Sequence, residues 1–152
     1  MKINKLIKIM ERLRDPKKGC PWDKKQTMES IIPHSIEEVY EVAEQVYLKN
    51  YDKLKEELGD LLFQVVYLSQ IASEKNKFDF SDVVDSISSK MILRHPNVFK
   101  GKKFKNIKEF KLWWEQSKNK KKNSILDNIP FTYPAYLEAN KIQKKVASVG
   151  FE

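Results

Sequence analysis

The segment Lys55–Leu68 has the sequence KEELGDLLFQVVYL, in which Glu57 and Asp60 stand among apolar residues. Almost every side of this segment is apolar on a helical wheel, a pattern that predicts the middle of a buried helix. Glu57, Asp60 and Gln64 nevertheless fall on one line along the helix. An ionised carboxylate removed from water costs several kcal/mol unless a partner compensates it. No lysine or arginine occurs among residues 57–74, so this helix supplies no such partner.

A second pair of acids lies in the preceding helix, SIEEVYEVAEQV, residues 35–46. Glu38 and Glu41 stand three residues apart at the edge of its apolar stripe. A short connection at about 49–51 predicts that the two helices are antiparallel neighbours, so that four carboxylates face one another. Like charges at that distance cannot all remain ionised. A glutamate-rich helix is often only a solvated face, which is the alternative interpretation.

A hard divalent cation resolves the repulsion among these acids. Mg²⁺ suits the site best, because it accepts carboxylate oxygens while it keeps waters for a phosphate substrate. Dinuclear iron bundles instead need Glu-x-x-His pairs, and neither His34 nor His95 lies three residues after a glutamate. An all-oxygen ligand set therefore favours phosphate chemistry over iron chemistry.

The chain as a whole predicts an all-α protein. Its 152 residues suit a protein with a sizeable core, and its four glycines disfavour a turn-rich β fold. No apolar run reaches the roughly 18 residues of a membrane span. Residues 2–13 form an amphipathic helix and not a signal peptide, and the single cysteine, Cys20, fits a reducing compartment, so we expect a cytoplasmic location.

Local signals predict the helix boundaries. Thr27 caps a short turn that Pro33 interrupts, and Ser35 with Glu38 forms a capping box for a helix over about 35–48. Asp52 is predicted to cap a helix that runs to about Lys75, and Ser81 to cap a helix that runs to about Arg94. Asn106 with Glu109 marks the start of a helix to about Lys118. The last helix is predicted to begin near Pro134 and to end at Gly150.

The net charge of +8 is concentrated in one segment. Residues 100–123 contain ten lysines and two glutamates, so the rest of the chain sums to zero. This basic segment also carries Phe104, Phe110, Trp113 and Trp114, and one alternative function is therefore binding to nucleic acid or to an acidic partner. Nucleic-acid binding ranks lower, because it leaves Glu57 and Asp60 unexplained.

The pattern Glu37-Glu38-x-x-Glu41 followed by Glu57-x-x-Asp60 resembles the signature of the MazG family of all-α nucleoside triphosphate pyrophosphohydrolases. Other segments resemble MazG segments in the same order: GCPWDKKQT at 19–27, EELGDLLFQVV at 56–66, FDFSDVVDSISSKM at 78–91, RHPNVF at 94–99 and KIQKKVASVGF at 141–151. The resemblance covers nearly the whole chain.

The resemblance implies a fold, a reaction and a cofactor. The fold is a MazG-like helical bundle that forms a homodimer or a dimer of dimers. The reaction is hydrolysis of a nucleoside triphosphate to the monophosphate and pyrophosphate, which clears non-standard or excess nucleotides. The metal ligands are Glu38, Glu41, Glu57 and Asp60, and they hold Mg²⁺, with Mn²⁺ as a possible substitute. Glu41 and Glu38 are the candidate catalytic residues, and the sequence does not separate a general base from a metal ligand.

Substrate-binding residues follow from the same resemblance and from their chemistry. Lys90 and Arg94 stand one helical turn apart and can reach one anion. Trp114 with Lys118 resembles the segment that closes over the nucleotide, and Trp22 either shapes the base pocket or holds its loop to the bundle. Leu93 departs from the family pattern, in which two basic residues commonly precede His-Pro.

The resemblance also predicts how the chain is divided. Residues 1–123 form a MazG-like helical domain with the basic segment 100–123 at its end. Residues 124–152 form a helix or linker that resembles the connection to the second MazG domain of longer proteins. A catalytically weak dimerisation domain therefore remains an alternative to an active enzyme.

Overall fold

The computed structural model describes residues 2–119, 124–127 and 129–150, without the side chains of Gln116, Lys118 and Asn119. Every element in the described residues is an α-helix, which confirms the predicted all-α class. The helices are α1 (Lys2–Leu13), α2 (Pro21–Lys25), α3 (Met28–Leu48), α4 (Tyr51–Glu74), α5 (Phe80–Arg94), α6 (Pro96–Phe99), α7 (Ile107–Asn119) and α8 (Ala135–Ala147). Within these ranges, no helix has the length and apolarity that a membrane crossing requires.

The chain divides into two compact units, Met1–Ser88 and Ser89–Glu152, and the division falls within α5. The first unit contains α1 to α4, and the second contains α6 to α8. The predicted domain boundary at 123 stays a prediction, since residues 120–123 are outside the described ranges.

The core of the first unit forms where α1, α3 and α4 meet. Five large side chains are almost fully buried there: Met10, Ile31, Val66, Tyr67 and Ile71. Only Lys49 and Asn50 separate α3 from α4, and Lys49 adopts a left-handed conformation with φ 53° that reverses the chain. The predicted antiparallel neighbours are therefore paired, and this pairing places the acids of α3 beside those of α4.

The start of α3 differs from the prediction. Thr27 forms a capping box with Ser30, and the helix then continues through Pro33 without a break. Pro33 is the sixth residue of the helix, so its missing N–H removes one helical hydrogen bond, the one to the carbonyl of Glu29 four residues earlier, and the helix continues beyond it. Ser35 caps nothing, because its hydroxyl donates to the carbonyl of Ile31 (3.1 Å) inside the helix.

Two other predicted caps are also wrong, in each case because an earlier residue takes the role. The side chain of Asn50, and not Asp52, accepts from the backbone N–H of Lys53 (3.2 Å) and caps α4. Asp79, and not Ser81, accepts from the N–H of Asp82 (3.0 Å) at the start of α5.

The remaining helix ends agree more closely with the prediction. Asn106 accepts from the N–H of Glu109 (2.9 Å) and begins α7 as predicted. The last helix begins after Pro134 as predicted, but its helical segment ends at Ala147, three residues before Gly150. The four-residue α6, which starts at Pro96, was not predicted.

The apolar stripe predicted for residues 35–48 does not face the core. Large apolar side chains of α3 and α4 are exposed in the single chain: Ile36, Val39, Tyr40, Val46, Tyr47, Leu58, Leu62 and Val65. The interior face of α3 is formed instead around Ile31 and Gln45. Exposed apolar side chains that are grouped into a patch typically mark an interface with another molecule.

Candidate metal centre

Helices α3 and α4 bring three carboxylates together. Glu38, Glu41 and Glu57 each offer one oxygen, and the three oxygens lie within 4.8 Å of one another. Glu38 and Glu57 are partly buried, whereas Glu41 is exposed. These three residues are called the carboxylate cluster below. Oxygens at this separation can bind one cation together, because a hard divalent cation takes oxygen ligands at about 2.0–2.6 Å.

Asp60 lies near the carboxylate cluster but is exposed. Its charge contributes to the raised pKa values of both Glu38 and Glu57. The predicted burial of this helix therefore needs correction in two respects: Asp60 is open to solvent, and α4 is not covered by apolar contacts on every side, since Leu58 and Leu62 are exposed. The helical period shows which side chains lie on the same face of a helix, but it does not show whether that face is covered by other residues.

Repulsion within the site raises the pKa values of two of its acids, Glu38 and Glu57. Partial burial raises the pKa of Glu38, and the charges of Asp60 and Glu41 raise it further. Burial also raises the pKa of Glu57, followed by the charges of Glu41 and Asp60. No lysine or arginine makes an ion pair with these acids among the side chains that the structure describes. The charge of Lys53, one turn before Glu57 on α4, offsets this only in part, since the pKa of Glu57 is still raised. The site therefore concentrates negative charge that no ion pair among the described side chains balances.

Gln64 borders the carboxylate cluster on the α4 side. Its amide nitrogen Nε2 donates to Oε1 of Glu38 in a long hydrogen bond of 3.4 Å. Its carbonyl oxygen Oε1 is buried and has no hydrogen-bond partner among the described atoms. The sequence pattern places Gln64 on the same face of the helix as Glu57 and Asp60, but it predicts no role for this residue. The spacing within one helix does not show a contact with a residue of another helix.

Trp22 lies on the short helix α2 and not in a loop as predicted, and it is 53% exposed. Its indole ring meets the ring of His34 edge to face, with centroids 6.0 Å apart. His34 stands one helical turn before Glu38 on α3. The structure thus brings Trp22 to the part of α3 that precedes the cluster, a contact that the sequence did not reveal.

A network of hydrogen bonds, buried at Tyr67 and exposed at Glu74, holds the segment around α2 against α4. The Arg14 guanidinium makes two hydrogen bonds to the Glu74 carboxylate (2.8 and 2.7 Å) and donates to the backbone carbonyls of Asp23 and Gln26. The hydroxyl of Tyr67 lies 2.9 Å from Oδ1 of Asp23 and donates to it. The segment that carries Trp22 is therefore fixed at both the backbone and the side chain of its neighbour Asp23.

The predicted phosphate-binding residues lie in the second unit. Lys90 is exposed on α5, and the guanidinium of Arg94 is 5.6 Å from the ring centroid of Trp114. The Trp114 ring also meets His95 edge to face, with centroids 4.9 Å apart. The structure thus groups Arg94 with Trp114. The side chain of Lys118 lies outside the described residues, so its predicted role remains a prediction.

A family model and two known proteins match the sequence of this chain. Residues 26–99, which contain all four candidate acids, match the family model of the MazG nucleotide pyrophosphohydrolase domain. The chain belongs to the MazG family. It is 48% identical over 155 aligned residues, 99% of this chain, to the nucleoside triphosphate pyrophosphohydrolase of Escherichia coli K12. It is 45% identical, over 97% of its length, to the nucleoside triphosphate pyrophosphohydrolase/pyrophosphatase MazG of Thermotoga maritima.

A solved structure shares the MazG architecture. The crystal structure of a mazG-related protein from Thermotoga maritima aligns with a TM-score of 0.64 at 29% identity, and it covers 77% of this chain and 99% of that chain. The chain spans 59% of the length of the Escherichia coli relative and 57% of the Thermotoga maritima MazG relative. The activity of those longer proteins is therefore proposed for this chain in the next section.

Proposed function

We propose that this chain is a Mg²⁺-dependent nucleoside triphosphate pyrophosphohydrolase. The observation that supports it most strongly is the carboxylate cluster, in which oxygens of Glu38, Glu41 and Glu57 lie within 4.8 Å of one another and, among the described side chains, make no ion pair with a lysine or arginine. The names of the Escherichia coli and Thermotoga maritima relatives support the same reaction class.

The residues of the site fit a hard divalent cation. All candidate ligands are carboxylate oxygens, which Mg²⁺ prefers, and no histidine or cysteine belongs to the carboxylate cluster. The exposed position of Glu41 leaves one side of the cluster open to water and substrate. Glu38, Glu41 and Glu57 would hold the ion, and Asp60 would complete the set. Mn²⁺ has the same ligand preference and is expected to substitute.

The roles of the acids differ with their environments. When bound, Mg²⁺ neutralises phosphate charge and lowers the pKa of a coordinated water. Glu41 is the exposed member of the carboxylate cluster, so it is best placed to accept the proton of a water that attacks the α-phosphorus. Glu38 is partly buried and bonded to Gln64, which suits a fixed ligand better than a mobile base.

Cationic and aromatic side chains are proposed to bind the rest of the nucleotide. Lys90 and Arg94 bind phosphate oxygens, and Arg94 adds a planar guanidinium that suits them. Trp114, Trp22 and Lys118 are proposed to contact the base and the phosphates. Trp22 has a largely exposed ring, as a base-stacking residue requires.

A homodimer, or a dimer of dimers, is proposed as the working form in the cytoplasm. The support is the exposed apolar surface of α3 and α4, which flanks the acids on both helices. Burial of such a surface gains roughly 25 cal/mol per Å². A partner chain on this surface would also reduce the exposure of Asp60 and Glu41. Clearance of non-standard or excess nucleotides is the proposed cellular role.

The test is a panel of nucleoside triphosphates incubated with the chain and Mg²⁺, with products separated by anion exchange. The proposal expects the monophosphate and pyrophosphate, no free phosphate, and no reaction in EDTA. Glu57→Gln and Asp60→Asn should abolish the reaction, while Glu11→Gln, an exposed acid on α1, should not. Full activity in Glu57→Gln or Asp60→Asn would show that the site is assigned wrongly.

Binding of nucleic acid by the basic segment 100–123 is less well supported. The Lys102 ammonium lies 5.1 Å from the ring centroid of Phe104 and 4.9 Å from that of Trp113. Both rings are partly buried and contact each other, so they are poorly placed to stack on bases. Salt-dependent affinity for single-stranded RNA that EDTA leaves unchanged, with no hydrolysis of nucleotides, would favour this alternative.

A further inference from the structure

Gln64 is a buried polar residue with an unmet hydrogen-bonding group beside the carboxylate cluster. Gln64 is only 9% exposed. Its Nε2 donates a hydrogen bond to Glu38, whereas its Oε1 has no hydrogen-bond partner among the described atoms. A buried acceptor without a donor costs about 1–3 kcal/mol relative to a satisfied one. A glutamine at this position is therefore unfavourable for folding alone.

We propose that Gln64 is a positioning residue for the cation site: its amide N–H orients the carboxylate of Glu38 towards Glu41 and Glu57, and its free carbonyl oxygen accepts a hydrogen bond from water of the hydrated cation. The proposal rests on the proposed function, because it assumes that the carboxylate cluster binds a divalent ion.

The first half follows from the contact between the helices. Glu38 lies on α3 and Gln64 on α4, and the amide of Gln64 donates to Oε1 of Glu38. A carboxylate on a flexible side chain has many orientations, and a buried donor restricts them. Partners of this kind, which hold a metal ligand without touching the metal, typically change metal affinity 10–100-fold when they are removed.

The second half follows from the chemistry of the ion and of the amide. Mg²⁺ keeps several waters when carboxylates bind it, and each water is a hydrogen-bond donor. The Nε2 atom of the Gln64 amide contacts the carboxylate of Glu38, so the Oε1 atom of the same amide lies close to the carboxylate cluster. This Oε1 atom accepts no hydrogen bond from the described atoms. A neutral amide adds no charge, whereas a glutamate at 64 would increase the repulsion that already raises the pKa of Glu38.

Gln45 provides a matched control. It is 4% exposed, and its Oε1 also lacks a partner among the described atoms. Its Nε2 donates to Glu44 (3.2 Å), which is not a member of the carboxylate cluster. Gln45 and Gln64 thus share residue type, burial and an unmet acceptor, and they differ in the carboxylate that each one holds.

The experiment compares Gln64→Met with Gln45→Met in the full chain, because methionine keeps the volume of glutamine without its polar atoms. Mn²⁺ alone, without nucleotide, is titrated into each protein by calorimetry and by electron paramagnetic resonance. The proposal expects about a tenfold or larger loss of Mn²⁺ affinity in Gln64→Met. It expects less than about a twofold change in Gln45→Met, which touches no ligand.

The melting temperature of each protein is measured in EDTA and in Mn²⁺. The comparison separates a loss of Mn²⁺ binding from a defect in folding. Both methionine variants should remain folded in EDTA, since each loses one hydrogen bond to a carboxylate but also removes an unmet buried acceptor. The additional stabilisation by Mn²⁺ should fall in Gln64→Met alone, and Gln64→Leu should reproduce that result.

The outcomes separate this proposal from the proposed function. Wild-type affinity for Mn²⁺ in Gln64→Met, or an equal loss in both methionine variants, overturns the role of Gln64 and leaves the metal centre intact. Failure of wild type itself to bind Mn²⁺ or Mg²⁺ overturns both.

Discussion

The hydroxyl of Tyr67 on α4 donates to the carboxylate of Asp23, 44 residues earlier in the chain, over 2.9 Å. Both residues are buried, and Asp23 follows Trp22 directly. This bond, together with the Arg14–Glu74 ion pair, joins the segment before α3 to the helix that carries Glu57. The position of Trp22 and the stability of the first unit thus depend on the same contacts.

Loss of the Tyr67 hydroxyl should destabilise the fold. Tyr67→Phe leaves the buried carboxylate of Asp23 without this donor and should lower the free energy of unfolding by about 1–3 kcal/mol. Tyr51→Phe, an exposed tyrosine on the same helix, should change it by less than about 0.5 kcal/mol. Urea denaturation followed by circular dichroism measures both. Equal stability of the two variants would contradict the importance of the bond.

The same hydroxyl should titrate late. Burial, followed by the hydrogen bond to Asp23, raises the pKa of Tyr67 from 10.0 to about 12. The folded state therefore holds the neutral phenol, so this stabilisation is complete below pH 10 and is lost as the pH rises through 12. Ultraviolet titration should show a late tyrosine step near pH 12, and Tyr67→Phe should abolish that step. A wild-type titration without a late step would be inconsistent with the buried hydroxyl.

The Arg14–Glu74 pair should give an acid-dependent contribution. Hydrogen bonds from Arg14 lower the pKa of Glu74 below its ordinary 4.5. The stabilisation is therefore present above pH 4.5 and is lost as the pH falls through the lowered value. Glu74→Gln should cost about 1 kcal/mol at neutral pH and progressively less below pH 4.5. A constant difference between the two proteins from neutral to acid pH would show that the ion pair contributes nothing.

Substitution of a cluster acid should separate stability from function. The raised pKa of Glu38 means that its ionised form is less favourable in the folded chain, so its destabilising effect is absent below pH 4.5 and develops as the pH rises through the raised value. In EDTA at neutral pH, Glu38→Gln should therefore raise the melting temperature while it abolishes hydrolysis. Calorimetry in EDTA measures this, and Glu11→Gln is the control. A melting temperature below that of wild type would argue against repulsion within the cluster.

The apolar surface of α3 and α4 should mediate self-association. Val46 is 57% exposed on α3, and Val46→Glu should convert a dimer into a monomer, because a buried unpaired carboxylate opposes assembly. Leu137→Glu, at a position 50% exposed on α8, should leave the dimer intact. Sedimentation velocity distinguishes the forms. A wild-type chain that sediments as a monomer would refute this interface directly.

The pairing of α3 with α4 could be predicted from the sequence, because the acid spacing, the helical period and the short link at Lys49–Asn50 are local signals. The first residues of α3 and α4 could not, because Thr27 competes with Ser35, and Asn50 with Asp52, as equally suitable caps. Pro33 was given too much weight, since proline early in a helix removes only one bond.

The prediction of the site was limited in the same way. The sequence placed Glu38, Glu41 and Glu57 close together, but the exposure of Asp60 depends on tertiary contacts that a helical wheel does not contain. The contacts of Gln64 with Glu38 and of Trp22 with His34 join different segments of the chain, so no spacing rule could reveal them. Nor does the structure show Arg94 as a free cation, since its guanidinium stacks on Trp114.

The most direct measurement is a crystal grown with Mn²⁺ and a non-hydrolysable nucleoside triphosphate, with diffraction recorded at the manganese absorption edge. The proposed function predicts an anomalous peak bound by oxygens of Glu38, Glu41 and Glu57, with Asp60 beside it. A peak held elsewhere, with these four side chains turned towards bulk solvent, would contradict the proposed function.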